Sequence, residues 1–212
     1  MIEQGVELTC GHEWLDVGRR MLREIVYFGD PVLRKKCANV ELSPEHKELA
    51  DDMIETMREA HGVGLAAPQI GIPIQMAVVD VSHDPECISF LRVDGKDTTL
   101  EELMPLVFVN PELTFGDEKA SESEGCLSIP EVRADVLRPA ELKAELTLLD
   151  GSKIVVETDG LLARAIQHET DHLNGVLFVD RIKATAKARL RTTLRRFQQE
   201  YKERERRKKW QR

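Results

Sequence analysis

Apolar residues recur at helical spacing between Ser43 and Gly62. Four of them fall at intervals of three or four residues: Leu49, Met53, Met57 and Ala60. Residues at this spacing lie on one face of a helix, and core packing is the ordinary reason for such a stripe. Ser43 is a good N-cap, Pro44 suits the first helical position, and Gly62 can end the helix. The pattern therefore predicts an amphipathic helix over residues 43–62.

The middle of the chain has the pattern of a β-sheet. Residues 75–81 and 106–116 are rich in apolar and β-branched side chains and are predicted to be strands. Two further apolar runs meet at the Asp-Gly pair 150–151, a strong turn signal, and predict a hairpin over residues 142–158. Residues 84–103 are polar, and we expect a loop there.

A second helical pattern follows the hairpin. Thr158 or Asp159 can cap its start, and Asn174 with Gly175 can stop it. Its apolar residues are Leu161, Leu162, Ala165, Ile166 and Leu173. Directly after this helix, residues 176–180 are predicted to form a short buried strand.

The last part of the chain predicts a long helix that begins near Ala184. Its apolar stripe consists of Leu190, Leu194, Phe197 and Tyr201. Residues 1–24 are predicted to be a short helical extension. Helices combined with antiparallel hairpins, without alternating βαβ units, indicate an α+β fold. We expect antiparallel sheets packed around a central helix over residues 158–175, with a long C-terminal helix.

Composition is that of an ordinary globular protein. The chain has 212 residues, of which 42% are apolar and 32% charged, as expected for one domain with extensions. No run approaches ~18 consecutive apolar residues, so we expect no membrane-spanning helix. The start lacks a basic region followed by an apolar one, and we expect no secretory signal. Four scattered cysteines favour reduced thiols in a cytoplasm.

Charge is distributed unevenly along the chain. Residues 183–212 contain 13 Lys/Arg and 3 Asp/Glu, a net charge of +10, while the whole chain carries −8. The other 182 residues therefore carry −18. A basic helix on an acidic body could contact RNA or an acidic partner. The alternative is a solvated helix that its apolar stripe holds against the body.

His168, Glu169 and His172 form the pattern HExxH within the second helix. Positions i and i+4 put both imidazoles on one face, where they can bind one ion. In this arrangement the glutamate handles the proton of the metal-bound water. The pattern is short and also occurs by chance, or with histidines that only make hydrogen bonds in a core. The apolar flanks favour an inward-facing metal site, because unpaired buried polar groups are costly.

A catalytic metal needs a third protein ligand and one open position. No histidine follows His172, and the glutamates beyond Asp180 all lie in the basic tail. Cys126, in the segment SEGCLSIP, is the better candidate, because a thiolate, two neutral imidazoles and water make a tetrahedral set. The alternative for a lone cysteine is an inert buried thiol. This segment is predicted to be a turn that leads into a strand.

Residues 61–71, HGVGLAAPQIG, form a glycine-rich segment. Gly62, Gly64 and the small alanines let the backbone come close to a ligand. Gln69 adds a side-chain hydrogen-bond donor. Taken alone, the segment is better explained as an ordinary loop. It does not match GxGxxG between a strand and a helix, so we exclude a dinucleotide site.

The segments HGVGLAAPQ, EGCLS and QHETDH, in this order, resemble the three signature motifs of peptide deformylases. The family has G-x-G-x-A-A-x-Q, E-G-C-x-S and Q-H-E-x-D-H. Thr170 replaces the usual apolar residue of the third motif, and we expect little consequence. The resemblance runs from about Ile25 to Ile182. It implies an N-terminal extension over 1–24, a catalytic domain over 25–182 and a basic C-terminal helix over 183–212.

The resemblance implies hydrolysis of the N-formyl group from the N-terminal formyl-methionine of newly synthesised polypeptides. By position, it implies that Cys126, His168 and His172 bind the metal. The metal-bound water is then the nucleophile, and Glu169 is the general base and afterwards the acid. The implied ion is one Fe²⁺ per chain, for which Zn²⁺, Ni²⁺ or Co²⁺ can substitute.

The same resemblance assigns the residues that meet the substrate. The Gln69 side chain and the Leu127 backbone N–H are the implied oxyanion donors, each typically worth ~3 kcal/mol of the barrier. The implied substrate-binding residues are Val63, Gly64, Leu161 and Ala165. Val63, Leu161 and Ala165 form the implied methionine pocket, and plain core packing is the alternative for each. Gly64 and Leu127 can also pair with the extended peptide backbone.

Two acidic residues near the motifs have open roles. Glu124 could pair with Arg133 or Arg138 and fix its loop, or it could lie on the surface as most glutamates do. Asp171 could orient a metal ligand, or it could face solvent.

The resemblance also implies that the basic C-terminal helix docks on the ribosome. The residues expected to contact RNA phosphates are Arg195, Arg196, Arg206, Arg207, Lys208 and Lys209. An HExxH-type metalloprotease is one other class, and it does not require Cys126. A non-catalytic metal-binding or RNA-binding module is another, and it requires a closed site with four ligands.

Overall fold

The computed structural model describes residues 21–84 and 88–210. Its α-helices are α1 (Glu45–Glu59), α2 (Leu100–Leu103), α3 (Gly160–Leu173), α4 (Phe178–Arg181) and α5 (Ala184–Trp210). Its strands are β1 (Gly64–Ala66), β2 (Met76–Val79), β3 (Leu91–Val93), β4 (Lys96–Asp97), β5 (Leu106–Phe115), β6 (Lys119–Cys126), β7 (Ile129–Pro139), β8 (Glu141–Thr147) and β9 (Lys153–Asp159). Short 3₁₀ helices span Pro31–Arg34 and Ala67–Ile70.

The strands form two antiparallel sheets. One has seven strands in the order β1-β2-β5-β8-β9-β3-β4, and β6 pairs with β7 in the other. The strands predicted at 75–81 and 106–116 are β2 and β5, and the hairpin predicted over 142–158 is β8–β9. The predicted α+β class is therefore confirmed.

Helix α3 is the central element of the fold. It packs against β1, β2, β8 and β9, and 11 of its 14 residues are buried. Apolar side chains such as Leu162 and Ile166 meet Phe108 and Val156 of the large sheet in one core cluster. The predicted arrangement, in which antiparallel sheets surround the helix that carries the HExxH residues, is confirmed.

Two further clusters attach the remaining helices. Helix α1 buries Met53 and Met57 of its predicted stripe against β1 and β2. The β6–β7 hairpin packs on α4 and α5 through a cluster that includes Val136, Phe178 and Phe197. The long C-terminal helix begins at Ala184, as predicted.

The strand predicted over residues 176–180 is wrong. A short helix, α4, begins at Phe178 instead, because the Asp180 carboxylate accepts the Leu177 N–H at 3.0 Å and closes a helical turn. The run 176–179 has only four apolar residues and no usable period, so its pattern does not separate a strand from a buried helical turn.

The loop predicted over residues 84–103 is also wrong in part, because β3, β4 and α2 lie within it. Strands β3 and β4 form a hairpin at Asp94 and Gly95, whose φ values are +52° and +75°. This is the same Asp-Gly signal that predicted the β8–β9 hairpin. The polar residues around it hid the signal.

Helix starts differ in detail from the predicted caps. Helix α1 begins at Glu45, with Pro44 in the capping position. Asp159 precedes α3 without capping it, because its carboxylate accepts the Ser89 N–H at 2.7 Å. The Thr158 hydroxyl likewise donates to the Phe90 carbonyl at 3.0 Å. Both side chains fasten the segment before β3 instead of the helix.

The helical extension predicted over residues 1–24 lies mostly outside the described residues. Residues 21–24 are described and are not helical. They lie along α1, where Asp52 accepts the Met21 backbone N–H at 2.7 Å and the Arg23 Nε–H at 2.9 Å. Among the described residues, no helix has the length and apolar character that crossing a membrane requires.

Candidate metal centre

Three potential metal donors meet between the β6–β7 hairpin and α3. Cys126 is the last residue of β6, and His168 and His172 are one turn apart on α3. Their donor atoms all lie within 4.8 Å of one another, and Cys126 Sγ is 3.2 Å from His172 Nε2. The structure therefore brings together the three side chains that the sequence suggested as ligands.

The second nitrogen of His168 is held by a carboxylate. His168 Nδ1 donates to Glu124 Oε2 at 3.0 Å, since an ionised carboxylate can only accept. This fixes the tautomer and leaves Nε2 with its lone pair for a cation. Such carboxylate–imidazole pairs orient metal ligands and raise their basicity.

The electrostatics of the cluster favour a cation. Burial lowers the pKa of His168, but the hydrogen bonds that His168 makes with Cys126 and Glu124 outweigh burial and raise that pKa to about 10. The site thus stabilises positive charge between the thiol and the imidazole, where a metal ion would replace the proton. Burial holds the pKa of His172 well below its usual value, which keeps this imidazole neutral and able to coordinate. One sulfur and two nitrogen donors fit a divalent transition metal.

Glu124 is buried and accepts four hydrogen bonds from three side chains. Its Oε1 accepts from Arg138 Nε and Arg164 Nη1, both at 2.6 Å, and its Oε2 accepts from Arg138 Nη2 at 2.9 Å in addition to His168. Burial alone would raise the pKa of Glu124, but the bonds from His168 and Arg138 hold it well below its usual range. Of the two arginines suggested by the sequence, Arg138 is therefore the partner. Arg133 instead donates to the Ser123 carbonyl at 3.1 Å.

Asp171 is also buried, and it contacts arginines rather than a histidine. It accepts from Arg138 Nη1 at 2.8 Å and from Arg181 Nε at 2.5 Å. Arg138 thus lies between two carboxylates, Glu124 and Asp171, with 2% of its side chain exposed. Hydrogen bonds through Arg138 and Glu124 connect Asp171 to His168.

Glu169 lies against the backbone of β1. A Cβ at Gly64 would come within 2.9 Å of Glu169 Cδ, so only glycine leaves room for this carboxyl group. Its Oε2 is buried without a hydrogen-bond partner among the described residues. Burial raises the pKa of Glu169 to about 7. A carboxyl group with such a pKa can accept and return a proton near neutral pH.

The Gln69 amide has a fixed orientation. Its Oε1 accepts the Ala66 N–H at 2.8 Å, so Nε2 points the other way. Nε2 lies 3.4 Å from Cys126 Sγ and 3.3 Å from Ser128 Oγ. The glycine-rich segment therefore places a hydrogen-bond donor beside the candidate metal ligands.

A cavity of about 560 Å³ opens onto this cluster. Every residue that the resemblance assigned to substrate or oxyanion binding lines it: Val63, Gly64, Gln69, Leu127, Leu161 and Ala165. Leu127 lies in the turn between β6 and β7, and a Cβ at Gly62 would meet its Cδ1 at 2.8 Å. Gly62 and Gly64 therefore make room for a side chain from each of the other two motifs.

Sequence reasoning missed Arg164 and Ser128. Arg164 lies four residues before His168, hence on the same face of α3, and this spacing is the signal that could have identified it. Ser128 was part of the EGCLS segment, but its contact with Gln69 joins residues 59 positions apart. No local pattern predicts such a contact.

The cluster, with a buried glutamate beside it and a cavity in front, is the kind of site found in metallohydrolases. The chain matches the polypeptide deformylase family over residues 22–188. The peptide deformylase of Agrobacterium fabrum is 45% identical over 163 residues, which cover 76% of this chain and 87% of the relative. That of Opitutus terrae is 43% identical over 171 residues, which cover 79% and 88%.

Solved structures agree with the sequence comparison. A plant peptide deformylase has a TM-score of 0.74 at 32% identity, covering 86% of this chain and 92% of that one. The peptide deformylase of Thermus thermophilus has a TM-score of 0.70 at 38% identity, covering 85% and 99%. The chain belongs to the polypeptide deformylase family, whose members are metalloenzymes that remove N-formyl groups from nascent peptides. The resemblance noted in the sequence is thereby confirmed.

Proposed function

We propose that this enzyme hydrolyses the N-formyl group of formyl-methionine at the start of newly synthesised polypeptides, using a divalent cation held by Cys126, His168 and His172. The observation that supports the proposal most strongly is the convergence of these three donors, within 4.8 Å of one another, at the cavity that Glu169 lines. The proposed ion is one Fe²⁺ per chain, with Zn²⁺, Ni²⁺ or Co²⁺ as substitutes. When bound, the cation supplies Lewis acidity, lowering the pKa of a water molecule and polarising the formyl oxygen.

Glu169 is the proposed proton carrier. Its carboxyl group is buried beside the donor cluster, and the positive charge of a cation there favours the carboxylate form that accepts a proton. After accepting the proton of the attacking water, Glu169 delivers it to the departing amine. Gly64 leaves the space that this carboxyl group occupies, because a Cβ there would lie 2.9 Å from Glu169 Cδ.

Gln69 and Leu127 are the proposed donors to the formyl oxygen. The Gln69 amide is oriented by Ala66, so its Nε2–H already points toward the cluster before substrate arrives. Negative charge grows on the formyl oxygen during attack, and a donor fixed in advance stabilises it by ~3 kcal/mol. The backbone N–H of Leu127, in the adjacent turn, is the second donor.

The methionine side chain is proposed to enter the apolar part of the cavity. Val63, Leu161 and Ala165 line it beside His168, and α3 supplies two of the three. The backbone at Gly64 and Leu127 pairs with the extended peptide, in the manner of an added strand. Val63, Leu161 and Ala165 also pack in or against a core cluster, which is compatible with their proposed role in the pocket.

The assay that tests the proposal measures release of free amine from a formyl-Met peptide in the presence of Fe²⁺ or Ni²⁺. Glu169→Ala is expected to keep the metal and lose deformylation. Gln69→Leu is expected to lower kcat by two to three orders of magnitude with metal content unchanged, because it removes one oxyanion donor. Full activity of Glu169→Ala would remove its assignment as base. Cleavage of a peptide with a blocked N-terminus, independent of Cys126, would favour the protease alternative.

The basic helix α5 is the proposed contact with the ribosome, and the cytoplasm is the proposed location. Leu194 and Phe197 hold α5 on the body, while Arg195, Arg206, Arg207 and Lys208 are exposed. Contacts of arginine and lysine with RNA phosphates weaken steeply as salt rises. We therefore expect co-sedimentation with ribosomes that falls as salt is increased, and salt-independent or absent co-sedimentation would contradict docking. The division into 1–24, 25–182 and 183–212 belongs to the same proposal.

A further inference from the structure

A second cavity adjoins the one at the metal centre. It has a volume of about 430 Å³ and lies between the β6–β7 hairpin and the first turns of α5. Ser123 and Arg133 line both cavities, so the two meet at these residues. We call this second cavity the hairpin groove. Arg133 and Ser123 therefore form the boundary between the metal-site cavity and the hairpin groove.

The hairpin groove is positively charged. Its charged lining residues are Arg133, Lys183, Arg189 and Asp135, three cations and one anion. Within residues 21–84 and 88–210, the ion pairs of α5 involve Lys187, Arg196, Arg204 and Lys208, whereas Lys183 and Arg189 form none. The groove therefore presents cationic groups to whatever occupies it.

Arg133 is held at the junction of the two cavities. Its Nη2 donates to the Ser123 carbonyl at 3.1 Å and its Nε to the Ser123 hydroxyl at 3.4 Å. Its Nη1 lies 3.3 Å from the position that a Cβ of Gly125 would occupy, next to Cys126. The guanidinium group thus lies against β6 between Ser123 and Gly125, the residue before Cys126. The described ion pairs give it no carboxylate partner.

We propose that the residues following the formyl-methionine run past Arg133 into the hairpin groove, and that the groove favours acidic residues there. The inference rests on the proposed function, which puts the formyl group at the cluster and the methionine side chain in the apolar pocket. The rest of the peptide must then leave through the open side of the cavity. Arg133 meets the first acidic side chain, and Lys183 and Arg189 meet those that follow.

Nucleic acid is the other polyanion that such a groove could take. Two features favour the peptide. The groove shares Ser123 and Arg133 with the cavity in which the peptide's first residue is proposed to bind, and Ala186 and Leu190 give the groove an apolar wall suited to side chains. An RNA backbone would gain nothing from that wall.

The experiment compares three peptides, formyl-Met-Ala-X-X-Ala with X as Asp, Ser or Lys. We expect kcat/KM to be roughly three- to tenfold higher for Asp than for Ser, and lower again for Lys, because exposed ion pairs are individually weak. The difference is expected mainly in KM and is expected to shrink at high salt, which screens exposed charges. Equal kcat/KM for the Asp and Lys peptides would overturn the inference.

Variants locate the preference. The double variant Lys183→Gln, Arg189→Gln retains only Arg133 and is expected to have a smaller Asp-to-Lys ratio of kcat/KM than the wild type. The triple variant, which adds Arg133→Gln, is expected to have a ratio of about one. Asp135→Asn is expected to raise the ratio. Arg191→Gln with Arg195→Gln removes the same charge from α5 outside the groove and is the matched control, expected to leave the ratio unchanged. A ratio that persists in the triple variant would overturn the assignment.

Two further outcomes are distinguishable. If none of the three peptides is deformylated, the proposed function fails and the groove inference with it. If the Ser peptide is deformylated and the double variant loses only affinity for an oligouridine, the groove is a nucleic-acid site and the peptide inference is overturned. Circular dichroism of each variant checks that it is folded.

Discussion

Helices α3 and α5 both carry charged side chains, and they place them in opposite environments. In α3, Arg164, Glu169 and Asp171 are all buried, together with both histidines. In α5, the buried residues are the apolar Leu194 and Phe197, and the arginines are exposed. One helix is surrounded by protein on most sides, whereas the other rests on the body through a single stripe.

Charged side chains have different roles in the two environments. A charge taken out of water must be paired and hydrogen-bonded, so Arg138, Arg164, Glu124 and Asp171 bind one another in a fixed geometry. That geometry orients His168. Charges on α5 stay largely hydrated, form exposed ion pairs of 3.5–3.8 Å, and act over a distance of about a Debye length. The first arrangement positions a reaction, and the second suits attraction of a polyanion.

The largest expected effect comes from Arg138→Met. It removes the cation between Glu124 and Asp171 and leaves two buried carboxylates without their main partner. Breaking a buried ion pair in this way typically costs about 3–5 kcal/mol, and we expect a loss of that size in the free energy of unfolding measured by urea denaturation.

Two further variants test why Arg138→Met destabilises the protein. Combining Arg138→Met with Glu124→Gln removes one of the stranded charges and is expected to recover part of the loss. Arg138→Lys keeps the charge but loses the bidentate contact with Glu124. Its free energy of unfolding is expected to lie between those of the wild type and Arg138→Met. A loss below about 1 kcal/mol for Arg138→Met would mean that the network does not carry the stability assigned to buried pairs.

Arg164→Met is expected to have the next largest effect. Arg164 joins α3 to β6 and β7 by bonds to Glu124, to the Val136 carbonyl and to the Ala120 carbonyl. Arg138 still neutralises Glu124 in this variant, so we expect a loss of about 2 kcal/mol, as for one hydrogen bond to a charged group.

The same variant tests the link to the metal centre. Glu124 orients His168, and loss of such an outer contact typically weakens metal affinity about 10–100-fold. We expect about a tenfold loss, measured by competition with a chromophoric chelator. Glu122→Gln is the matched control, because Glu122 also binds Arg164, at 3.0 Å, but is half exposed and does not contact His168. Equal metal affinities of the wild type, Arg164→Met and Glu122→Gln would contradict a positioning role for Arg164.

The sequence predicted the parts of this molecule that have a period or a local signal. Helices α1, α3 and α5 follow from apolar stripes, and the pair His168 and His172 follows from helical spacing. The β8–β9 hairpin follows from its Asp-Gly turn. Cys126 was reached by elimination and then by resemblance, because the approach of a loop residue to a distant helix leaves no local pattern.

The parts that could not be predicted depend on distant partners. Strand β6 has the polar sequence KASESEGC, so it lacks the apolar alternation by which strands are recognised. Whether Glu124 is exposed, or is buried and bonded to His168, depends on Arg138 and Arg164, which are 14 and 40 positions away. The sequence identifies the charged residues, but only the fold determines which of them are buried and desolvated.

Thr170→Val is expected to have a smaller effect, and in the stabilising direction. The Thr170 hydroxyl is buried without a hydrogen-bond partner among the described residues. Valine has nearly the same shape and removes the unsatisfied group, which typically costs 1 kcal/mol or more, so we expect a gain of about 1 kcal/mol. Thr170→Ser keeps the hydroxyl and loses the methyl group, and it is expected to destabilise. If valine lowered the free energy of unfolding as serine does, the hydroxyl would have to be satisfied in solution.

The smallest expected effect comes from Arg196→Gln on α5. Arg196 lies 3.8 Å from Glu131 and 3.7 Å from Glu200, with 55% of its side chain exposed. Exposed pairs of this kind contribute about 0.2–1 kcal/mol, and we expect a change below about 0.5 kcal/mol in urea denaturation. The neighbouring Phe197→Ala is the contrast, because Phe197 is buried in the cluster that holds α5, and a loss of about 2 kcal/mol or more is expected. If Arg196→Gln cost as much as Phe197→Ala, the charges of α5 would hold the helix in place, and the distinction from α3 would fail.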